Sequence, residues 1–264
     1  MHSLQHNNFL TMKRILIFLL FIPFTTHLLA QPAFVTKGKI EFEKRENLYK
    51  NMAPLDDDND QGEDAFTAAI KKTLPQFSST YFDLYFDDSH TLYKPGREAG
   101  DVKIPEWIQS PANGNIVYND MAKQQLTLQK TFYGTTMLLQ DTARHIEWRI
   151  TNDLRTIAGF ECRKAVGRIM DSVYVIAFYT DQIVTPGGPE SFTGLPGMIL
   201  GVAIPRINTT WFATKLEVTP ITTADLTPPA KGKKLTAEEF KKKLKDAMKD
   251  WGKYGKRKLL QVLI

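Results

Sequence analysis

The sequence predicts a mainly β protein: one large, strongly curved antiparallel sheet, open or half-barrel, with one or two covering helices that include an amphipathic helix at the C-terminus. Three observations lead there. Short apolar segments with period-two alternation recur between residues 37 and 216, turn-forming residues separate them, and no helical periodicity runs between them. About ten strands at this spacing favour antiparallel neighbours, because parallel pairing would need a helical crossover after each strand.

The first segment is 38–43. The clearest is Tyr81-Phe82-Asp83-Leu84-Tyr85-Phe86, in which Phe82, Leu84 and Phe86 share one face. Asp87-Asp88-Ser89-His90 then turns the chain into Thr91-Leu92-Tyr93, which makes a hairpin. Further strands are expected over 115–118, 124–132, 135–139, 145–150, 160–169, 172–179, 198–204 and 209–218. Turns are expected at Asn119-Asp120, Gly134, Asn152-Asp153 and Asp171-Ser172.

Two stretches depart from alternation. Residues 55–64 are acidic and lead into a short helix from Ala65 that ends before Pro75. An EF-hand register with Gly62 sixth would put Asp57, Asn59 and Gln61 at early ligand positions. Its twelfth position is Ala68, where a bidentate Glu is required, so no metal site is assigned and the acids read as a solvated loop near a helix N-terminus. In the tail, Thr236 and Glu239 match a capping box, and Leu235 and Phe240 a hydrophobic staple. Phe240, Leu244, Ala247, Met248 and Trp251 follow at helical spacing with lysines opposite. This helix either docks on the sheet or rests on anionic lipid or a partner. After Gly255 the basic run Lys256-Arg257-Lys258 precedes an apolar end, 259–264, expected to complete a sheet or to mark a contact.

Residues 1–30 read as a secretory signal peptide: Lys13-Arg14, an apolar run from Ile15 to Phe24 broken at Pro23, and Ala30 before Gln31. Translation could also start at Met12. The domain organisation is then a leader over 1–30, a β domain over 31–230 and a basic helical tail over 231–264. No later apolar segment is long enough to span a bilayer, so the exported chain is not an integral membrane protein. Its single cysteine, Cys162, rules out an internal disulfide. In an oxidising compartment the thiol is either buried as a small hydrophobe or reactive. Removing Lys13 and Arg14 lowers the net charge from +5 to +3; residues 231–264 carry +8, which leaves −5 on the body. Export and an acidic body exclude nucleic acid as a partner.

The densest signal is a run of glycine and proline set against an apolar strand. Pro186-Gly187-Gly188-Pro189 cannot hold a regular strand, and Gly194-Leu195-Pro196-Gly197 repeats that chemistry before Met198-Ile199-Leu200. Candidate ligand- or partner-binding residues are Gly188, Pro189, Phe192, Gly194, Leu195, Pro196, Gly197 and Met198. Two readings stay open: the loop crosses one sheet end with Phe192 and Leu195 plugging the core, or its bare backbone admits a ligand or partner at the rim. This run resembles the signature of the GLPGLI family. The resemblance extends to Trp148, Gly159-Phe160-Glu161-Cys162-Arg163-Lys164-Ala165, Gly167-Arg168 and Ala177-Phe178-Tyr179-Thr180, roughly the second half of the folded part. It implies a secreted Bacteroidetes-type protein of unsettled activity, with TonB-dependent receptors as frequent companions. The chain departs from the family's wording at Glu190, where a tryptophan after Gly-Pro is usual and any aromatic rim contact it makes would be lost, and at Phe178 and Met198.

No nucleophile elbow, zinc-peptidase helix, phosphate loop or dinucleotide fingerprint is present, and no cofactor is implied. The leader aside, the histidines are His90 and His145, which could serve acid–base or metal chemistry only if folding joined them to carboxylates such as Asp87 or Glu147. Arg149, Arg163, Lys164 and Arg168 read as outer-face residues. The expectation is a secreted, periplasmic or cell-surface, non-catalytic protein that binds an apolar molecule such as a lipid, or an extended peptide. The alternatives are an accessory protein of an outer-membrane receptor or surface complex, and a hydrolase.

Overall fold

A computed structural model describes residues 34–53, 65–100, 102–132 and 134–264. Twelve strands form a single open sheet: β1 (Gly38–Asn47), β2 (Phe77–Phe86), β3 (His90–Pro95), β4 (Ile116–Asp120), β5 (Gln125–Phe132), β6 (Thr135–Thr142), β7 (Arg149–Ile157), β8 (Phe160–Ile169), β9 (Val173–Thr180), β10 (Met198–Ile204), β11 (Thr209–Glu217) and β12 (Lys233–Leu235). Their spatial order is β12-β6-β5-β4-β3-β2-β1-β11-β10-β9-β8-β7. Every pairing is antiparallel except β12 with β6, so the sheet is mixed at one edge. Four helices accompany it: α1 (Leu48–Met52), α2 (Ala65–Thr73), α3 (Ala237–Met248) and α4 (Gly252–Leu263).

Alternation sets the register. Ile40 pairs with Leu84 and Phe42 with Phe82, which puts the apolar residues of β1 and β2 on one face, and the Phe82 ring stacks on Tyr93 at 4.7 Å. The β7 end coils over its own opposite face. A flat sheet would hold β7 and β11 about 19 Å apart, yet Arg155 lies 4.5 Å above the Phe212 ring and Ile157 crowds Gly201. Cys162 is buried on that face, its thiol pushed up to about 12 by burial.

Four elements differ from the sequence expectations. The strand expected over 145–150 begins at Arg149 and runs on to Ile157; Asn152-Asp153, expected as a turn, sits in a bulge, where Asp153 takes the Lys164 ammonium at 2.8 Å. The tail is not a separate appendage, since β12 joins the sheet beside Met137–Leu139. The apolar terminus is neither a strand nor a free contact: it is α4, with Val262 and Ile264 buried. Helix α1 continues directly from β1, capped by Asn47, and the Tyr49 hydroxyl lies 2.6 Å from Lys71 O and 2.8 Å from Leu74 O, its single proton shared between the two carbonyls, tying α1 to α2.

The α3 capping box forms as expected, with Thr236 and Glu239 bonding each other's backbone amides. Phe240, Leu244 and Met248 are buried in the core, so the apolar stripe of α3 docks on the fold and is not left to face lipid. The last carbonyls of α4 are satisfied by side chains from the sheet side: Lys130 Nζ donates to Val262 O at 2.9 Å and Arg144 Nη2 to Leu263 O at 2.9 Å. The leader and the calcium-register positions Asp57, Asn59 and Gln61 lie outside the described residues. Among the described residues no helix is long and apolar enough to cross a membrane.

Candidate functional site

The glycine–proline loop is packed into the body. Of the eight candidates, Gly188, Pro189, Phe192, Leu195, Gly197 and Met198 are buried, while Gly194 and Pro196 are exposed. Phe192 and Leu195 belong to the core, and Phe192 meets the Trp211 ring edge-on at 6.4 Å. The amide of Ile199 donates to Gly187 O at 2.8 Å, the amide of Met198 to Ile183 O at 3.1 Å, and the Trp148 indole to Thr193 O at 3.0 Å. Two glycines are there because nothing else fits: a Cβ on Gly188 would lie 2.8 Å from Ile199 Cβ, and one on Gly197 only 2.1 Å from Thr180 O.

Glu190 is not at a rim. It is fully buried, with φ of 52°, a left-handed conformation that costs a residue with a side chain about 1–3 kcal/mol unless its surroundings hold it. Its carboxylate accepts from Asn115 Nδ2 at 2.8 Å, and the second oxygen has no partner among the described residues. Around it lies a buried set of charges. Lys44 of β1 donates to Asn113 Oδ1 at 2.8 Å, is 3.5 Å from Glu46 and sits over the Trp211 ring; Lys130 of β5 closes the other side beneath α4. Burial raises the Glu190 carboxyl, opposed by Lys130, Lys44 and the Asn115 amide. Burial lowers the Lys130 ammonium to about 8, opposed chiefly by Glu190. The Tyr93 phenol is pushed well up by burial and by the Glu190 charge. Two lysines and two glutamates thus compensate one another in the buried interior.

The sequence reading missed this cluster, though three of its four members were legible. Residues 40, 42, 44 and 46 share one strand face, so apolar Ile40 and Phe42 place Lys44 and Glu46 inward; Leu126, Leu128 and Phe132 do the same for Lys130.

A cleft of about 420 Å³ opens beside this cluster, between α1, α2, the loop at Trp107 and Ile108, and α4. Its walls are apolar: Leu48, Met52, Phe66, Ile70, Trp107 and Trp251. The exposed rings of Phe66 and Trp107 stack at 6.2 Å. The polar groups come mainly from α4. Arg257 donates to Ala53 O, Asn51 Oδ1 and Arg206 O. Lys258 donates to Gln109 O at 2.8 Å and Ile108 O at 3.3 Å, and burial lowers its ammonium to about 8 against the pull of Glu46. Gln261 is buried, and its Oε1 has no hydrogen-bond partner among the described residues. None of the eight glycine–proline loop candidates lines this cleft.

The two histidines have different settings. His90 Nδ1 is 3.0 Å from Asp87 Oδ1 and its Nε2 3.8 Å from Asp120, at the β2–β3 turn. Burial opposes ionisation of Asp87, but the Ser89 amide and the His90 ring and amide outweigh it and hold the carboxyl below its ordinary value. His145 is exposed on the segment before β7. Among the described residues no three His, Cys, Asp or Glu side chains gather as metal ligands.

Residues 167–201, from within β8 to within β10 and so across the whole glycine–proline loop, match the model of a family described as a protein of unknown function (Porph_ging). That match fits a Bacteroidetes-type family under another family name. No curated protein matches the chain. Among solved structures, PNGF-II in its P21 crystal form superposes with a TM-score of 0.50 at 11% identity, over 78% of this chain and 32% of that one. Its C2 form gives 0.49 at the same identity and coverage. An uncharacterized conserved protein from Thermus thermophilus gives 0.38 at 8% identity, over 76% of this chain and 91% of that one. The chain therefore spans about a third of the length of PNGF-II, and likeness at this identity speaks to fold alone.

Proposed function

We propose that this is a secreted, periplasmic or cell-surface, non-catalytic binding protein of the GLPGLI type, and that the cleft between α1, α2 and α4 holds an apolar molecule. The observation that carries the proposal is the cleft itself, whose walls are apolar while its few polar groups converge on one helix. Its volume lies in the range of about 300–1,000 Å³ typical of small-molecule sites. Much of the inner face of the sheet is packed by core side chains and by α3 and α4, which favours a ligand at the helical margin. An extended peptide would instead need a free sheet edge, which β7 provides with Ile150 and Leu154 exposed.

Native mass spectrometry with solvent extraction, on protein purified from the periplasm of an expressing cell, tests the proposal. A co-purifying apolar molecule that is lost in a Phe66→Ala/Trp107→Ala variant supports it. A clean apo mass from repeated preparations, with no binding of added alkyl probes, overturns it. The accessory reading is favoured by one feature: α3 turns Lys241, Lys242, Lys243 and Lys245 to solvent. Receptor capture that survives replacement of these lysines by glutamine would remove that reading.

A further inference from the structure

We infer that the occupant of the cleft is a single-chain amphiphile with a carboxylate head and a hydroxyl close to it, the carboxylate held by Lys258 and the hydroxyl by Gln261. This rests on the binding proposal and names the chemistry of the same site.

Charge complementarity comes first. Lys258 is half-buried in the lining of the cleft, its hydrogen-bond acceptors are the main-chain carbonyls of Ile108 and Gln109, and no carboxylate among the described residues stands within ion-pair distance of it. No acidic side chain lines the cleft among the described residues. A cation withdrawn from water whose direct partners are carbonyls has no ion pair to offset its desolvation; Glu46 attracts it only through space and Lys44 works against it, and an entering anion supplies the missing contact. The lowered ammonium pKa of about 8 has that origin, and it still leaves the group charged at neutral pH.

Gln261 is the second, independent observation. It is 4% exposed, lines the same cleft, and its Oε1 accepts no hydrogen bond among the described residues. A buried amide oxygen without a donor is costly, and it calls for a donor from the occupant. Positions 258 and 261 are three apart on α4, so the two groups share one helix face. An anion for one and a hydroxyl for the other must therefore lie close together at one end of the molecule. Most of the remaining wall, Phe66, Ile70 and Trp107 among it, offers apolar contact to the rest of the molecule, while Arg257 and Asn51, which also line the cleft, are hydrogen-bonded to each other.

Isothermal titration of the purified protein with dodecan-1-ol, dodecanoate and 3-hydroxydodecanoate tests this, with the fluorescence of Trp107 and Trp251 as a second readout. Dodecanoate is expected to bind about tenfold more tightly than dodecanol, and 3-hydroxydodecanoate several-fold more tightly again, as one further hydrogen bond allows. In Lys258→Met the preference for carboxylate over alcohol disappears while dodecanol still binds, which also shows that the variant is folded. In Gln261→Met only the hydroxyl increment disappears. Equal binding of dodecanol and dodecanoate by the unaltered protein overturns the inference and leaves the apolar cleft standing. An absent hydroxyl increment overturns the role given to Gln261, and failure of all three probes overturns the cleft and the inference together.

Discussion

Replacing Gly197 by alanine separates a packing role for the glycine–proline loop from a role in exposing backbone. Gly197 has φ of 135°, and a Cβ there would stand 2.1 Å from Thr180 O and 2.8 Å from Thr180 C, at the start of the β9–β10 pairing. Both obstacles are backbone, so no side chain can swing aside. Backbone strain at positive φ contributes about 1–3 kcal/mol, and forcing the strands apart adds about 1–3 kcal/mol of overpacking. The expected loss is therefore about 2–6 kcal/mol. Gly194 is the control within the same motif: its φ is 93°, but the nearest atom to a Cβ is the Trp148 indole nitrogen at 3.5 Å, an ordinary contact. Gly194→Ala should lose only the strain, about 1–3 kcal/mol, without the overpacking. Urea denaturation followed by far-UV circular dichroism, with equal m-values required, gives both numbers. If Gly197→Ala costs no more than Gly194→Ala, the loop is not locked by its register with β9 and the packing account fails.

Other outcomes follow from buried groups and from α3. Burial lowers Lys130 to about 8, so the folded chain releases that proton from pH 8 upward while the unfolded chain keeps it to about 10.4; stability therefore rises with pH across that window. Lys130→Met should climb less steeply, by up to about 1.4 kcal/mol per pH unit, in urea midpoints taken between about pH 7.5 and 9.5; identical slopes would contradict the assignment. Cys162, buried with its thiol pushed up to about 12, should react with a maleimide at about pH 7.5 at least about a hundredfold more slowly in the native protein than in urea. Thr236→Ala removes the hydroxyl half of the capping box and should cost about 1 kcal/mol. Phe240→Ala empties a 3%-exposed core position and should cost about 3–5 kcal/mol, read from the same urea curves.

Much of the fold is legible in the sequence because alternation is a local property. The limits of β8 and β10 fall where the apolar period starts and stops, the β2–β3 hairpin follows from Asp87-Asp88-Ser89-His90, and the α3 cap from Thr236 and Glu239. The failures have local causes too. β7 reads short in the sequence because Asn152-Asp153 has turn chemistry yet sits in a bulge. β12 has three residues, two of them exposed lysines, and carries no pattern. Helix α4 escapes a sequence reading because Gly252, Gly255 and a basic run obscure its period.

By itself, the sequence determined the architecture class, the strand faces and the cap of α3, since side-chain period and hydrogen-bonding chemistry act between near neighbours. The phase of β1 and β5 even placed Lys44, Glu46 and Lys130 inward. The tertiary structure alone decided that Glu190 joins them in the interior, and that segments near residues 50, 66, 107 and 258 meet around one cleft. Those contacts join positions 75 to about 200 residues apart, and the coiling of the sheet and the docking of α4 bring them together, which no local periodicity encodes.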